Sequence, residues 1–337
     1  MTEILFFTSP IGLGHATRCA AISQHLGAVK RRFVTGAGAY MLLSRYGLDA
    51  MDLYHPPPFQ VEDGRLRRPL RWLFSYLSFY RQSKKISSDL ISGEKPRVVV
   101  SDEDFASLVS AQRRGIKNIL VTDILETRFA SGIGSVIEGL MNRGMRGIIE
   151  KCDLVLVPEE GASSGRIVRV GPIVRETGLT RDEIRRKYGF SRKTVLVAAG
   201  GTALGRFLIE RTAEAFARTG LDAELVAVSG PVMKIEGGGY RNLGFVPDMH
   251  EVICAADLVV SLAGKSTIDE SRHFGTPGIF IPIRGHFEQE ENARELGFRF
   301  EDIGRLEELI TKKIDERRDP RRFDGARVAA ETISRFL

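Results

Sequence analysis

The chain has 337 residues, of which 43% are hydrophobic, so it can bury a sizeable core and is expected to divide into two domains. Its formal net charge of +6 suits phosphate-bearing ligands, nucleic acid or anionic lipid without choosing among them. The three cysteines, Cys19, Cys152 and Cys254, are too few and too widely spaced for a disulfide framework or a zinc site. No stretch reaches about 18 uncharged apolar residues, so we expect neither a signal peptide nor a membrane-spanning helix.

The chain opens with the order strand, glycine loop, helix. An apolar run at 3–8 is followed by Pro-Ile-Gly-Leu-Gly and then by helical spacing of apolar residues at 16–26. The same order recurs with an apolar run at 194–199, a glycine loop at 200–205 and a helix at 206–218. Each half of the chain therefore begins like a nucleotide-binding unit.

In such a unit the backbone amides of the loop approach a phosphate at the positive end of the helix. This makes Gly200, Gly201 and Thr202 candidate phosphate-binding residues, with Thr202 adding a hydroxyl donor. A tight turn without a ligand has the same sequence features, so the loop gains weight only from its neighbours.

Further apolar runs predict buried strands at 97–101, 118–122, 153–157, 223–229, 257–262 and 278–283. Helical stretches separate most of them, which indicates parallel α/β sheets in both halves. A polar, glycine-rich stretch at 158–172 marks the division. We predict an N-terminal domain at 1–160, a linker at 161–179, a C-terminal domain at 180–318 and a closing helix in 319–337 that packs back toward the N-terminal domain.

A second candidate anion site lies at 264–267, between an apolar run and a helix. The amides of Gly264 and Lys265 and the hydroxyls of Ser266 and Thr267 are suited to contact phosphate. Glu270, one turn further on, has two interpretations: a carboxylate that accepts hydrogen bonds from ribose hydroxyls, or an acid that complements the helix dipole. For Lys265 the alternative is a solvated side chain.

The stretch at 244–293 carries the most specific pattern in the chain: Gly-Phe-Val-Pro-Asp-Met-His, Ala-Gly-Lys-Ser-Thr-Ile-Asp-Glu-Ser, Gly-Thr-Pro-Gly-Ile-Phe-Ile-Pro and Glu-Gln-Glu-Glu-Asn-Ala. It resembles the donor-domain signature of the MurG-like GT-B glycosyltransferases of family 28, which use UDP-sugars. The resemblance implies an α/β GT-B fold, with two Rossmann-like domains whose parallel sheets face a central cleft. It also implies that Phe245 and Val246 bind the base, that Glu270 holds the ribose, and that Gln289 and Asn292 face the donor sugar.

The first glycine loop, Gly-Leu-Gly-His-Ala-Thr-Arg at 12–18, resembles the Gly-x-Gly-His loop of the same family, which makes Gly12 and Gly14 candidate substrate-binding residues. An imidazole at His15 is suited to take a proton from an acceptor hydroxyl or to donate one to the departing phosphate; the alternative is a histidine that only caps the helix. Arg18 provides a second cation for the phosphates. The form of the loop with this arginine also occurs in UDP-sugar hydrolases, which keeps a hydrolase open.

The acidic run Ser-Asp-Glu-Asp at 101–104 follows a buried strand, at an edge where parallel sheets form binding sites. The alternative interpretation is a solvated turn. We retain Asp102 as a second candidate base, together with Asp123 at the next strand end. No metal-ligand spacing accompanies them, so we expect no metal ion and no cofactor. Arg175 ends a Gly-Pro-Ile-Val-Arg segment that resembles the family's interdomain segment, and the resemblance implies that it faces the phosphates.

The segment at 65–91 mixes aromatic and basic side chains, namely Arg65, Arg67, Arg68, Arg71, Trp72, Phe74, Tyr76, Phe79, Tyr80, Arg81, Lys84 and Lys85. Such a helix can rest among lipid headgroups, with aromatic residues at the boundary and cations on anionic lipid. The alternatives are a core helix with solvated basic ends, or RNA binding. Nothing else in the sequence resembles an RNA module, so we expect no nucleic-acid partner.

Together with the resemblance, these features predict an inverting glycosyltransferase that moves a sugar, first of all N-acetylglucosamine, from a UDP-sugar donor to a lipid-linked or membrane-lipid acceptor. We expect it in the cytoplasm, peripherally bound at the inner face of the cell membrane. Three alternatives stay open: a UDP-sugar hydrolase, a non-catalytic membrane-recruited binding subunit, and a sugar-nucleotide epimerase.

Overall fold

A computed structural model describes residues 2–126, 133–200, 205–230, 233 and 238–337. These residues form two compact units. The first comprises the chain up to Pro58, Pro69–Val174 and Phe323–Leu337, and the second comprises Phe59–Arg68 and Arg175–Arg322.

The strands of the described residues, in chain order, are β1 Ile4–Thr8, β2 Arg31–Thr35, β3 Ala50–Asp52, β4 Gln60–Glu62, β5 Arg65–Arg67, β6 Val98–Asp102, β7 Lys117–Val121, β8 Leu154–Val157, β9 Ile167–Arg169, β10 Lys193–Ala198, β11 Ala223–Val228, β12 Arg241–Asn242, β13 Leu258–Leu262 and β14 Gly278–Ile281. The α-helices are α1 Gly14–Gln24, α2 Ala37–Arg45, α3 Pro69–Glu94, α4 Phe105–Gln112, α5 Ile133–Ile149, α6 Arg181–Tyr188, α7 Arg206–Thr219, α8 Met249–Ala255, α9 Lys265–Phe274, α10 Phe287–Glu295, α11 Leu306–Lys313 and α12 Gly325–Ser334. A 3₁₀ helix spans Phe300–Arg305.

The first unit is built on a parallel sheet with the order β3-β2-β1-β6-β7-β8-β9. Its central strands β1 and β6 are buried at every position and are apolar except at their carboxyl ends, as expected where helices cover both faces. The strand order reverses between β1 and β6. In an open parallel sheet, ligands bind outside the carboxyl ends of the strands at such a switch point.

The second unit repeats this plan with the order β12-β11-β10-β13-β14, again parallel, and its switch point lies between β10 and β13. The antiparallel hairpin of β4 and β5 also belongs to this unit. Leu66 N donates to Arg284 O (2.9 Å) and Arg284 N donates to Gly64 O (2.8 Å). Gly64 turns the hairpin at φ +72°, and a Cβ there would lie 2.7 Å from the rings of Phe207 and Phe300. Only glycine fits both the conformation and the space.

The strand and helix predictions are largely confirmed, since each predicted apolar run contains a parallel strand. The predicted boundaries need correction. The predicted linker at 161–179 contains β9, which continues the first sheet by pairing with β8, and the units divide between Val174 and Arg175. The hairpin at 59–68, predicted within the N-terminal domain, belongs to the second unit. The last helix, α12, belongs to the first unit, where it packs against α1.

Candidate functional site

The candidate catalytic residues of the first unit meet at the switch point of its sheet. The loop after β1 takes φ +80° at Gly12, and α1 begins at Gly14. His15 and Arg18 are three residues apart on α1 and therefore share one side of the helix. Asp102 ends β6, the strand that pairs with β1. The fold thus brings the carboxylate of Asp102 to the imidazole and guanidinium of α1, although several elements lie between them in the sequence.

Asp102 is completely buried between the two basic side chains. Its Oδ1 lies 2.8 Å from His15 Nδ1, and Arg18 donates from Nε to Oδ2 (2.9 Å) and from Nη2 to Oδ1 (2.5 Å). Burial raises the pKa of Asp102, but Arg18 and His15 outweigh burial and hold the pKa below its usual range. The carboxylate is thus enclosed by these partners and placed to hold the imidazole through Nδ1. The role of Asp102 as a base stays a prediction.

Glu103 and Asp123 lie on the other side of the His15 ring. Glu103 Oε2 is 3.7 Å from His15 Nε2, and Asp123 Oδ2 is 3.6 Å from Arg18 Nη1. Burial and the adjacent Asp123 raise the pKa of Glu103 well above its usual range. Burial also raises the pKa of Asp123, but Arg18 and a hydrogen bond from Glu103 lower it to about 2. The two carboxyl groups are hydrogen-bonded to each other, and their pKa values are displaced in opposite directions.

The electrostatics of this cluster favour a charged imidazole at His15. Burial lowers its pKa, but Glu103 and Asp102 outweigh burial and raise the pKa to about 9. With Asp102 on Nδ1, the other nitrogen, Nε2, is the one left for exchange with a substrate. The His15 side chain is 18% exposed, so solvent and ligands reach it.

The acidic run at 101–104 is not the solvated turn considered above. Asp104 caps α4: its Oδ2 accepts from Ser107 N (3.1 Å) and from the hydroxyl of Tyr54 (3.0 Å). Glu103 has a backbone φ of +56°, a left-handed conformation that non-glycine residues adopt at a cost. Sequence reasoning did not single out Glu103. The signal that points to it is its position directly after a buried strand at the switch point.

In the second unit, the two predicted phosphate loops both follow strands of its switch point. Gly200 follows β10 with φ +76°, whereas Gly201 and Thr202 lie outside the described residues. Gly264 precedes α9 and is its N-cap residue, so Ser266 and Thr267 lie in the first turn. Lys265 Nζ lies 3.5 Å from Asp269 Oδ1, one turn along α9. The phosphate contacts of both loops stay predictions.

Glu270 and Arg175 form a buried ion pair. Arg175 Nε donates to Glu270 Oε1 (2.9 Å), Nη2 donates to Oε2 (3.3 Å), and Nη1 donates to the carbonyl of Pro247 (2.7 Å). Both side chains are only 4% exposed. The Arg175 guanidinium is thus engaged within the second unit, and its contact with phosphates stays a prediction. A carboxylate has further lone pairs, so the ribose role of Glu270 stays a prediction.

The remaining predicted donor residues have the following partners. Gln289 Oε1 accepts from Ile283 N (3.0 Å), and Asn292 Nδ2 donates to Ala263 O (3.1 Å), so both amides fix the backbone around β13 and β14. Phe245 is half-buried, and Val246 packs against the apolar cluster below β11 and α8. Their contacts with base and sugar stay predictions.

The structure shows which side chains of α3 face the core of the first unit and which face solvent. Phe79, Ile86 and Leu90 pack on the core of the first unit. Phe74 and Leu77 point outward, with 71% and 46% of their surface exposed. Exposed cations follow the same helical spacing, at Arg71, Arg81 and Lys85. Of the helices in the described residues, none is long and apolar enough to cross a membrane.

In the part of the chain that the structure describes, no group of three or more His, Cys, Asp or Glu side chains is arranged to hold a metal ion. Asp102 and Asp104, although only two residues apart, bind different partners, α1 and the start of α4 respectively.

Comparison with known proteins adds a family to this geometry. Residues 194–320 match the model of the glycosyltransferase family 28 C-terminal domain. An uncharacterized glycosyltransferase of Methanopyrus kandleri is 30% identical over 233 residues, which cover 65% of this chain and 67% of the relative. The Thermus thermophilus UDP-N-acetylglucosamine–N-acetylmuramyl-(pentapeptide) pyrophosphoryl-undecaprenol N-acetylglucosamine transferase is 33% identical over 155 residues, covering 43% and 44% of the two chains.

Solved structures agree with this relationship at the level of the fold. The glycotransferase of kitacinnamycin superposes with a TM-score of 0.66 and 16% identity, covering 100% of this chain and 99% of its own. Three observations indicate the same family. The chain has two Rossmann-like units, the second unit matches the family 28 model, and the Methanopyrus kandleri relative aligns with 65% of the chain. The chain belongs to the MurG-like GT-B glycosyltransferases.

Proposed function

We propose that this glycosyltransferase moves a sugar, N-acetylglucosamine as the first choice, from a UDP-sugar to a hydroxyl of a lipid-linked or membrane-lipid acceptor, with inversion at the anomeric carbon. The observation that carries the proposal is the buried Asp102 bound to Nδ1 of His15 at the switch point of the first sheet. A carboxylate in that place fixes the imidazole and stabilises its charged form, which leaves Nε2 to exchange a proton with the acceptor.

The donor half of the proposal rests on the second unit. The family 28 match covers this unit, and the Thermus thermophilus relative is a UDP-N-acetylglucosamine transferase by name. The first turn of α9 offers amides and hydroxyls for a diphosphate, and Glu270, held by Arg175, lies on the same helix. We infer that these groups hold UDP.

In the reaction, neutral His15 takes the proton of the acceptor hydroxyl at Nε2 while the hydroxyl oxygen attacks the anomeric carbon. The bond from that carbon to the UDP oxygen breaks, and UDP leaves with the electron pair. The proton is then released from His15 to water. Asp102 and Arg18 keep the ring in place throughout, because Asp102 binds Nδ1 of His15 and Arg18 binds Asp102.

The acceptor half of the proposal rests on α3. Two apolar side chains, Phe74 and Leu77, are exposed between Arg71 and Arg81 on one face of this helix. Apolar groups flanked by cations match the boundary of an anionic membrane. A peripheral site on the cytoplasmic side of the membrane follows from this interpretation.

The test is a panel of UDP-sugars, each incubated with and without membrane extract, with UDP release and labelled lipid product both measured. We expect labelled product with one donor and UDP release that requires the extract.

His15→Ala is expected to lower turnover by about 10²- to 10⁴-fold while UDP binding in calorimetry is retained. His55→Ala, an exposed histidine of the same unit, is the control and should leave turnover unchanged. Equal release of UDP and free sugar without extract would instead identify a hydrolase, and unchanged turnover in His15→Ala would remove His15 from the mechanism.

A further inference from the structure

Beside the Nε2 atom of His15 lies a second polar atom, on Glu103. Glu103 Oε2 is 3.7 Å from His15 Nε2, a few tenths of an ångström beyond hydrogen-bond length, so the two groups are neighbours without a hydrogen bond between them. Both side chains reach the surface, with 16% of Glu103 and 18% of His15 exposed. A ligand that contacts Nε2 therefore meets the oxygen of Glu103 as well.

Glu103 is held firmly in this position. Its Oε1 lies 3.1 Å from Thr122 Oγ1, and its carboxyl group is hydrogen-bonded to Asp123. The backbone at Glu103 has φ +56°, a conformation that costs a non-glycine residue free energy and that recurs at ligand-binding positions. A carboxyl group has more lone pairs than these contacts use, so Oε2 can still accept a hydrogen bond from a ligand.

The spacing of Nε2 and Oε2 decides how many hydroxyl groups the two atoms bind. A single oxygen at about 2.8 Å from both would make an acute angle with them, well below the tetrahedral arrangement of its bonds and lone pairs. Two neighbouring oxygens, a little closer together than 3.7 Å, can each form a hydrogen bond with one of the atoms without this distortion. Neighbouring hydroxyl groups of a sugar ring or of glycerol have such a spacing.

These two contacts do not depend on where the protons of the cluster reside. Nε2 of His15 accepts from a hydroxyl group when the ring is neutral and donates to the hydroxyl oxygen when the ring is charged. The carboxyl group of Glu103 has accepting lone pairs in either of its forms. In the proposed reaction the attacking hydroxyl gives its one proton to Nε2, so the partner of Glu103 has to be a second hydroxyl.

We propose that Glu103 determines acceptor specificity by binding a hydroxyl group next to the one that reacts at His15, and that the acceptor is therefore a vicinal diol, such as a sugar ring or a glycerol unit. The role of the reacting hydroxyl rests on the proposed function. A site that hydrogen-bonds a hydroxyl group rejects analogues that lack it, because its own polar group then loses its partner. Alcohols with one isolated hydroxyl group are expected to be poor acceptors.

The test uses three ring compounds that differ in the number and position of their hydroxyl groups: trans-1,2-cyclohexanediol, trans-1,4-cyclohexanediol and cyclohexanol. Each is titrated into the free protein while the NMR signal of the His15 ring, assigned by its loss in His15→Ala, is followed at one pH below and one pH above its own titration. We expect the 1,2-diol to bind about fivefold more tightly than the other two at both pH values. Equal affinities, or no response to any of the three, would overturn the proposal.

Glu103→Gly removes the carboxyl group and suits the left-handed backbone, so the loop is expected to keep its course. In this variant the preference for the 1,2-diol should fall below about twofold. Lys95→Gly is the matched control, because it also replaces a residue with positive φ (+48°), before β6 rather than after it. It should keep the wild-type preference. A preference that persists in Glu103→Gly would belong to another group and would overturn the role of Glu103.

The binding measurement uses no UDP-sugar, so this inference and the proposed function fail separately. A Glu103-dependent preference for the 1,2-diol without any transfer product would support the diol site and contradict the transferase proposal. Transfer to the 1,2-diol and to cyclohexanol with equal kcat/KM would do the reverse.

Discussion

At the scale of single residues, the ion pair of Arg175 and Glu270 shows what burial does to two charges. Neither side chain has more than 4% of its surface exposed, so removal of one partner leaves the other charged and without its counter-ion in a low-dielectric environment. The pair is also directly relevant to the donor site, because Glu270 is the predicted ribose contact.

We expect Arg175→Ala to lower the free energy of unfolding by about 3–5 kcal/mol, as measured by urea denaturation. The double variant Arg175→Met with Glu270→Leu should recover most of that loss, since it removes both charges and keeps the volume. Arg192→Ala breaks an exposed ion pair with Asp222 and serves as the control with a much smaller effect. A loss in Arg175→Ala no larger than in this control would show that the pair does not stabilise the fold.

The sequence could predict which site residues lie close together only where they are neighbours on one helix or loop. His15 and Arg18 are one helical turn apart, whereas their pairing with Asp102, 84 residues after Arg18, becomes visible only in the structure. Arg175 and Glu270 are separated by 95 residues and carry no local signal of their pairing. Glu103 was hidden in an acidic run, because a sequence does not show which of three neighbouring acids the backbone turns toward the histidine.

At the scale of elements, α3 packs on the core as one interpretation of its sequence expected, whereas contact with lipid stays a prediction. One face packs on the core and the other exposes Phe74 and Leu77. Propensity and composition gave the helix correctly, but only packing decided which aromatic residues face outward. The hairpin of β4 and β5 was missed for a related reason: its short strands are mostly polar, pair with each other, and contact the second unit through Val61, Leu66 and the backbone of Arg284.

We expect Phe74→Ser with Leu77→Ser to reduce binding to vesicles that contain about 30% phosphatidylglycerol at least fivefold, because apolar insertion and cationic attraction act together at such a surface. Co-sedimentation measures the bound fraction. Met41→Ser, an exposed apolar residue on α2, is the control and should bind like wild type. Equal binding of wild type and the double variant would argue against α3 as the membrane contact.

At the scale of the whole molecule, the two units are not continuous in sequence. The chain passes between them after Pro58, Arg68, Val174 and Arg322. The last passage returns α12 to the first unit, where Ala326, Ala329 and Ile333 are buried. The start of each unit could be predicted from the repeated strand–glycine–helix order. The returns of the chain to a unit depend on contacts between distant residues, which the sequence does not show.

Truncation after Arg322 removes α12 and uncovers the apolar surface of α1 that it covers. We expect the melting temperature of the first unit to fall by about 5 °C or more, with faster hydrogen exchange in α1 and unchanged exchange in β10 and β13. Truncation after Ser334, which removes only partly exposed residues, is the control and should melt like wild type. Unchanged exchange in α1 after the longer truncation would contradict a stabilising role of α12.

The hairpin turned by Gly64 decides which residues must be moved together when the second unit is exchanged with that of a related glycosyltransferase. A donor module cut as 175–322 alone would leave the rings of Phe207 and Phe300 without the turn that covers them, and the backbone of Arg284 without its partners. A chimera must therefore transplant 59–68 together with 175–322. In this chain the second unit is encoded by two stretches of the gene, and the shorter one lies inside the coding region of the first unit.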